Sequence, residues 1–404
     1  MARTDDGQLL RYVDGELQKL WKLGRNVIIG WCAERTHLSV LVVPQFLLAE
    51  FFADHDEILN GASQMTSQRM AAVADLCEIE PYQIAIPASM RSGAIRAAAI
   101  ERLVRRYSVR KLEARAAVLF DIVNFSLYSP LEQVTALNSL AYSINVAHQR
   151  AGEQGVKVAL ARSTTGDGFY VWNRNDGISA DIDLFCLMML VLADNAVAQQ
   201  KSRNATVPTL RTCFHVGTTF EYFQSEGVNP ALHSYIVGDL TIDLARMIGK
   251  SMPGQALIGD FAIRPSRDGL DVNLPLVVDT PLFVAAAWER LEAFRDVVLS
   301  RETISSLKCY LTGQRLPNGK FNIIRYQIRD KHGLKHHVFN AKFNIYREDG
   351  EPIYLGLQSR DLTEFEAEEQ AYESFQAESS LISEAFPDLD ETVPDDLDPA
   401  ALAV

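Results

Sequence analysis

Two aspartates stand where an apolar strand has no structural use for a charge. In AAVLFDIVNFS (Ala116 to Ser126), Val118, Leu119 and Phe120 lead into Asp121, and Ile122 and Val123 follow it. A carboxylate there is left buried and unpaired unless it meets a cation. In TTGDGFYVW (Thr164 to Trp172), Asp167 sits between Gly166 and Gly168, the signal for a tight turn between two strands. Either aspartate alone reads equally well as a turn residue or a strand-end cap. Together, delivered by a strand end and a hairpin, they could converge as hard oxygen ligands for a pair of divalent ions. Sites of that kind hold nucleotide phosphates.

FDIVNFS resembles the F-x-D-I-x-G-F-[ST] signature of the class III nucleotidyl cyclases, and TTGDGFYVW resembles their G-D-G-F hairpin. TCFHVG (Thr212 to Gly217) is similar to the family's short strand before a glycine-containing turn. YIVGDLTIDLARM (Tyr235 to Met247) is similar to its G-x-x-V-N-x-A-x-R-[LM] element. The four motifs come in family order between Ala116 and about Ala262. The resemblance implies two divalent metal ions, Mn²⁺ or Mg²⁺, held by Asp121, Asp167 and the carbonyl of Ile122. It also implies a phosphate cradle from the backbone of Asn124, Phe125 and Ser126. Asn124 stands where the family has glycine, and asparagine is the best other choice for a left-handed backbone. Arg246 matches the arginine that stabilises charge on the α-phosphate, and Ile242 stands where the family has a ribose-orienting asparagine. In the family the aspartates and the arginine of one site come from two subunits. A homodimer with composite sites is therefore implied.

The positions of the adenine readers, a lysine and an aspartate in adenylate cyclases, are Ser163 and Tyr235 here. Tyr235 fills space that the second ring of a purine needs, and overfilling is costly. This pattern resembles the pyrimidine cyclases of the Pycsar anti-phage systems, in which cyclic UMP or cyclic CMP activates a separate effector protein. Arg162 offers only donors and suits the two carbonyls of uracil, although strand neighbours alternate faces and it can point away. The expected reaction is UTP to cyclic UMP. CTP to cyclic CMP, an adenylate cyclase and a catalytically inactive regulatory module are the alternatives.

The elements that must position these residues follow from the patterning. The 404 residues are 48% apolar, enough for two or three domains. Thirteen acidic residues and no Lys or Arg follow Leu362, which leaves the preceding chain near neutral despite a formal charge of −13. That balance argues against a nucleic-acid partner. Five scattered cysteines without C-x-x-C spacing read as reduced core residues of a cytoplasmic protein. Met1 opens onto a polar stretch with no signal-peptide pattern, and the apolar run Leu184 to Ala193 is too short to span a bilayer.

Residues 1–112 read as a helix-rich region of unassigned role. Its helices are expected around Leu9 to Leu23 and from Met90 to Lys111, where Arg102, Arg105, Arg106 and Arg110 form a solvated face. Residues 113–275 read as the catalytic domain. Its pattern predicts a helix from Ser129 and Pro130, a strand from Val156 to Ala161, a buried helix from Asp181 to Ala198, and a helix carrying Arg246. This alternation gives an α/β (α+β) layer with helices on one sheet face; the resemblance implies a ferredoxin-like core. A connecting helix is expected over 276–305, opened by Thr280 and Pro281. Residues 306–361 read as a small β-rich module similar to the sensor domain of bacterial defence cyclases. In it, His332, His336 and His337 are expected as surface histidines beside a turn. Residues 362–404 read as a solvated acidic tail.

Overall fold

The computed structural model describes residues 2–34, 36–87, 97–202, 207–225, 232–264, 277–313, 323–330, 333–363 and 365–367. Nearly all of the acidic tail, the start of the expected Met90 helix, and His332 lie outside the described residues. The chain opens with α1 (Ala2–Trp21), β1 (Asn26–Ala33), β2 (His37–Pro44), α2 (Leu48–Phe52), α3 (Ser67–Leu76), β3 (Tyr82–Ala85) and α4 (Ala97–Val104). It continues through β4 (Arg110–Ile122), α5 (Pro130–Glu153), β5 (Leu160–Thr164), β6 (Gly168–Asn173), α6 (Ile178–Lys201) and β7 (Leu210–Ser225). Next come β8 (Leu232–Val237), α7 (Asp239–Ile248), β9 (Ala256–Gly259), β10 (Ala262–Ile263), β11 (Val278–Asp279) and α8 (Thr280–Leu291). The last strands are β12 (Val297–Leu299), β13 (Glu302–Leu311), β14 (Arg325–Arg329), β15 (Lys335–Arg347), β16 (Gly350–Leu355) and β17 (Glu366–Ala367).

Contacts divide the chain into two compact units. The first comprises 1–117, 161–163 and 216–242, and the second 118–160, 164–215 and 243–404. In the first, β1, β2 and β3 form an antiparallel sheet in that order. Leu9, Val13, Leu17 and Trp21, four residues apart on α1, pack with Ile28, Trp31, Leu38 and Val40 on one side of this sheet. On the other side, Val27, Ile29, Leu41 and Val43 pack with Met70, Val73 and Ala74 of α3. Among its described residues the N-terminal region thus adds to its helices a three-stranded sheet covered on both faces, which the patterning did not reveal. A strand buried on both faces is apolar throughout and lacks the alternation that marks a half-buried one. Arg110 also departs from the expected solvated helix: it lies buried in β4, where its Nε donates to the Gly61 carbonyl at 2.7 Å.

In the second unit the strands run β12-β13-β15-β9-β7-β4-β6, with β7 and β9 parallel. α6, α5 and α8 pack together, and α6 is buried along nearly its whole length, as its apolar run requires. The acids on α6 are satisfied: Asp194 accepts from Ser143 Oγ at 2.7 Å and Ser300 Oγ at 2.9 Å, and Asp183 pairs with Arg290 at 2.9 Å. The strand expected from Val156 begins only at Leu160. Side chains satisfy the preceding backbone instead: Lys157 N donates to Asp183 and Ala159 N to Asn173.

The C-terminal strands continue the same sheet. β15 pairs antiparallel with β9, from Val338 opposite Gly259 to Ala341 opposite Ala256. Buried Asn340 fixes this junction, accepting from Gln255 Nε2 at 3.0 Å and donating to Thr312 Oγ1 and the Leu357 carbonyl. The helix opened by Thr280 ends at Leu291, short of the 276–305 expected. All five cysteines are buried and unpaired by disulfides. Among the described residues, no helix is long and apolar enough to cross a membrane.

Candidate active site

β4 carries Asp121 as its penultimate residue, and the turn between β5 and β6 carries Asp167. Ile122 N donates to the Asp167 carbonyl at 3.0 Å, which locks the strand end to the turn. The turn can come this close only because Gly168 lacks a side chain: a Cβ there would lie 1.9 Å from the Phe120 carbonyl oxygen. Gly166 takes a φ of +101°, and Thr165 Oγ1 donates to Asp167 Oδ1 at 3.2 Å.

The two carboxylates meet. Burial pushes the Asp121 carboxyl above its usual range, Arg211 opposes that rise, and the adjoining Asp167 carboxylate adds to it. Arg211, second residue of β7, donates from Nε to Asp121 Oδ2 at 2.8 Å and from Nη2 to the same oxygen. Sequence reasoning missed this residue. Its signal is a cation at the head of the otherwise apolar TCFHVG strand, one position before the stretch that drew attention.

Next to the carboxylates, Asn124 holds φ +57° and ψ +26°, the left-handed conformation for which asparagine was expected. Phe125 and Ser126 open a short 3₁₀ turn, and α5 starts with Pro130 in its first turn and Glu132 accepting from Ser129 N at 2.7 Å. Among the described residues, no three His, Cys, Asp or Glu side chains gather as a metal site. The donor set is two carboxylates and a backbone carbonyl. Two adjoining carboxylates, one of them raised by burial and by the other, suit divalent cations, which take oxygen ligands.

Arg246 lies in a second cluster. Its Nε is 3.0 Å from Asp330 Oδ2 and its Nη1 3.6 Å from Asp243 Oδ1; its ion pairs do not involve Asp121 or Asp167. His336 joins this cluster, with Nδ1 3.3 Å from Asp243, so it is not the surface histidine expected beside the turn.

His215 stands behind the cluster, its Nδ1 against Gly259, where a Cβ would come within 2.1 Å. Burial, and secondarily the nearby His336, push its imidazole down to about 4, although Asp243 lies 3.7 Å from Nε2. A histidine depressed in the fold adds stability above its unfolded value near 6.5 and loses it as the pH falls towards about 4. The loss amounts to up to about 3 kcal/mol. Melting temperatures from pH 7 to 4.5 should fall more steeply in the wild type than in His215→Gln; equal slopes would contradict this.

The remaining predicted residues belong to the first unit. Arg162 is exposed and Ser163 half-buried on β5. Tyr235 on β8 faces Tyr222 of β7 in register, their rings stacked 5.7 Å apart at 28°. Gly238, at φ +129°, leads into α7, and Ile242 is exposed on that helix. A cavity of about 540 Å³ in this unit is lined by Phe52, Val109, Phe220 and Tyr222 among others, and by none of the predicted residues.

No protein-family profile matches the chain, and no curated protein matches it. Solved structures do. The guanylate cyclase domain of RhGC from Catenaria anguillulae in complex with GTP is 14% identical, with 57% of this chain and 97% of that chain covered at a TM-score of 0.34. The adenylyl cyclase CyaB from P. aeruginosa is 10% identical, with 60% and 97% covered at 0.35. The guanylyl cyclase Cya2 is 13% identical, with 57% and 92% covered at 0.32. The structural neighbours of this chain are nucleotidyl cyclase domains, at similarities too low to assign a substrate.

Proposed function

We propose that this chain is a pyrimidine nucleotide cyclase that converts UTP to 3′,5′-cyclic UMP and pyrophosphate, as the messenger synthase of an anti-phage system. The observation that carries this reading is the meeting of Asp121 and Asp167, with the carboxyl of Asp121 raised by burial and by its neighbour. In the reaction the ribose 3′-oxygen forms a bond to the α-phosphorus, its proton passes to solvent, and the bond to the leaving pyrophosphate breaks. Divalent ions, when bound, supply acidity to the hydroxyl and charge compensation to the triphosphate.

Asp121, Asp167 and the carbonyl of Ile122 would hold those ions. Arg211 then exchanges its carboxylate partner for phosphate oxygens, which a guanidinium binds with paired donors. The amides of Asn124, Phe125 and Ser126 would cradle the phosphates. Arg246, whose ion pairs are with Asp243 and Asp330, serves the site of a second copy, where its charge offsets that developing on the α-phosphate. Each homodimer then carries two composite sites, and a monomer is inactive. The product acts through a separate effector protein.

Tyr235, stacked on Tyr222, supports the choice of a pyrimidine: held by that stack, its ring would occupy the space that a purine's second ring needs. Tyr235→Asp should lower kcat/KM for UTP by about tenfold or more. An adenylate cyclase with unusual base contacts would instead keep or improve its use of ATP in that variant, and this outcome would displace the pyrimidine reading.

A further inference from the structure

The cluster around Arg246 is built largely from the C-terminal strands. Asp330 closes the β14–β15 hairpin, its backbone N donating to the Leu334 carbonyl at 3.0 Å. Its Oδ1 accepts from Leu334 N at 2.9 Å, while Gly333 completes the turn at φ +80°. One carboxylate oxygen is thereby committed to the turn. The other, Oδ2, lies 3.0 Å from Arg246 Nε and 3.7 Å from His336 Nε2. Only 3% of the Asp330 side chain is exposed, so this is not a solvated surface pair.

An arginine needs such a partner. Its long side chain is freely jointed, and a guanidinium that must meet a phosphate in one orientation acts well only if its plane is already set. Asp330 stands against Nε and Asp243 lies near Nη1, so two carboxylates restrain the orientation of the guanidinium. His336, between the two carboxylates, holds their spacing. The strand that carries His336 is itself fixed by its pairing with β9.

We infer that Asp330 is a positioning residue for Arg246, so that the C-terminal hairpin completes the cyclase site instead of forming a detachable module. The inference rests on the cyclase reading above. Asp330→Asn tests it while keeping the turn, because the amide oxygen can still accept from Leu334 N. The variant should lose about tenfold or more in kcat, with KM for the nucleotide changed less than about twofold. Added to Arg246→Ala, it should cause no further loss, since its effect passes through that arginine. Full activity of Asp330→Asn, or an equal loss in the Arg246→Ala background, would overturn the inference.

A second readout separates the two readings. Modification of Arg246 by phenylglyoxal, followed by mass spectrometry, should be faster in Asp330→Asn than in the wild type. Equal rates would overturn the positioning role whatever the activity. Faster modification in a protein that makes no cyclic nucleotide from any triphosphate would leave the contact standing and remove the cyclase reading.

Discussion

Replacing Asp121 or Asp167 with asparagine is expected to reduce cyclic-nucleotide formation by about a thousandfold or more, with little loss of thermal stability. The two carboxylates are the acidic side chains of the proposed ion site, so neither loss has a substitute nearby. Stability should be spared for a reason specific to Asp121. Its carboxyl is raised in the fold, mainly by burial. An acid raised on folding weakens the fold as the pH climbs from the unfolded value through the raised one, so at neutral pH the ionised form is a burden. An uncharged asparagine relieves that burden, although Arg211 then gives up its charged partner. Calorimetry supplies an independent check: Mn²⁺ should raise the melting temperature of the wild type, EDTA should reverse the shift, and both variants should lack it. Wild-type turnover in either variant would remove the carboxylates from the chemistry.

Arg246→Ala should cost about a hundredfold or more in kcat, the usual scale for removing a charge aimed at a developing anion. Its pairing with Asp243 and Asp330, and not with Asp121 or Asp167, leads to a sharper expectation. If each site draws its aspartates from one subunit and its arginine from the other, two dead proteins can repair each other. Mixing Arg246→Ala with Asp167→Asn gives heterodimers in which one site carries both lesions and the other carries none. Random pairing then restores about a quarter of wild-type activity. A mixture as inactive as its components would place the arginine and the aspartates in the same chain's site, or outside catalysis.

Much of this site was legible because its residues break local rules. A charge in an apolar strand, an aspartate between two glycines, and asparagine where the backbone turns left-handed each carry a physical cost that marks them. The buried helix α6 was legible from its unbroken apolar run. Arg211 was not, because its role depends on a strand partner ninety residues away and an arginine at a strand end violates nothing. Asp330 was equally silent: in D-K-H-G it satisfies the turn, and the sequence does not disclose its second oxygen's partner. The N-terminal sheet was hidden by burial on both faces, which erases the alternation of β1 and β2. The junction of β15 with β9 depends on pairing between segments some eighty residues apart, and only the buried polar pair Gln255 and Asn340 hints at it.

The most direct measurement of the central claim is to incubate the purified full-length protein with Mn²⁺ and each of the four nucleoside triphosphates separately, identifying products by mass spectrometry. Cyclic UMP from UTP, absent in Asp167→Asn, is the predicted result. Cyclic AMP or cyclic GMP in place of a cyclic pyrimidine nucleotide would contradict it.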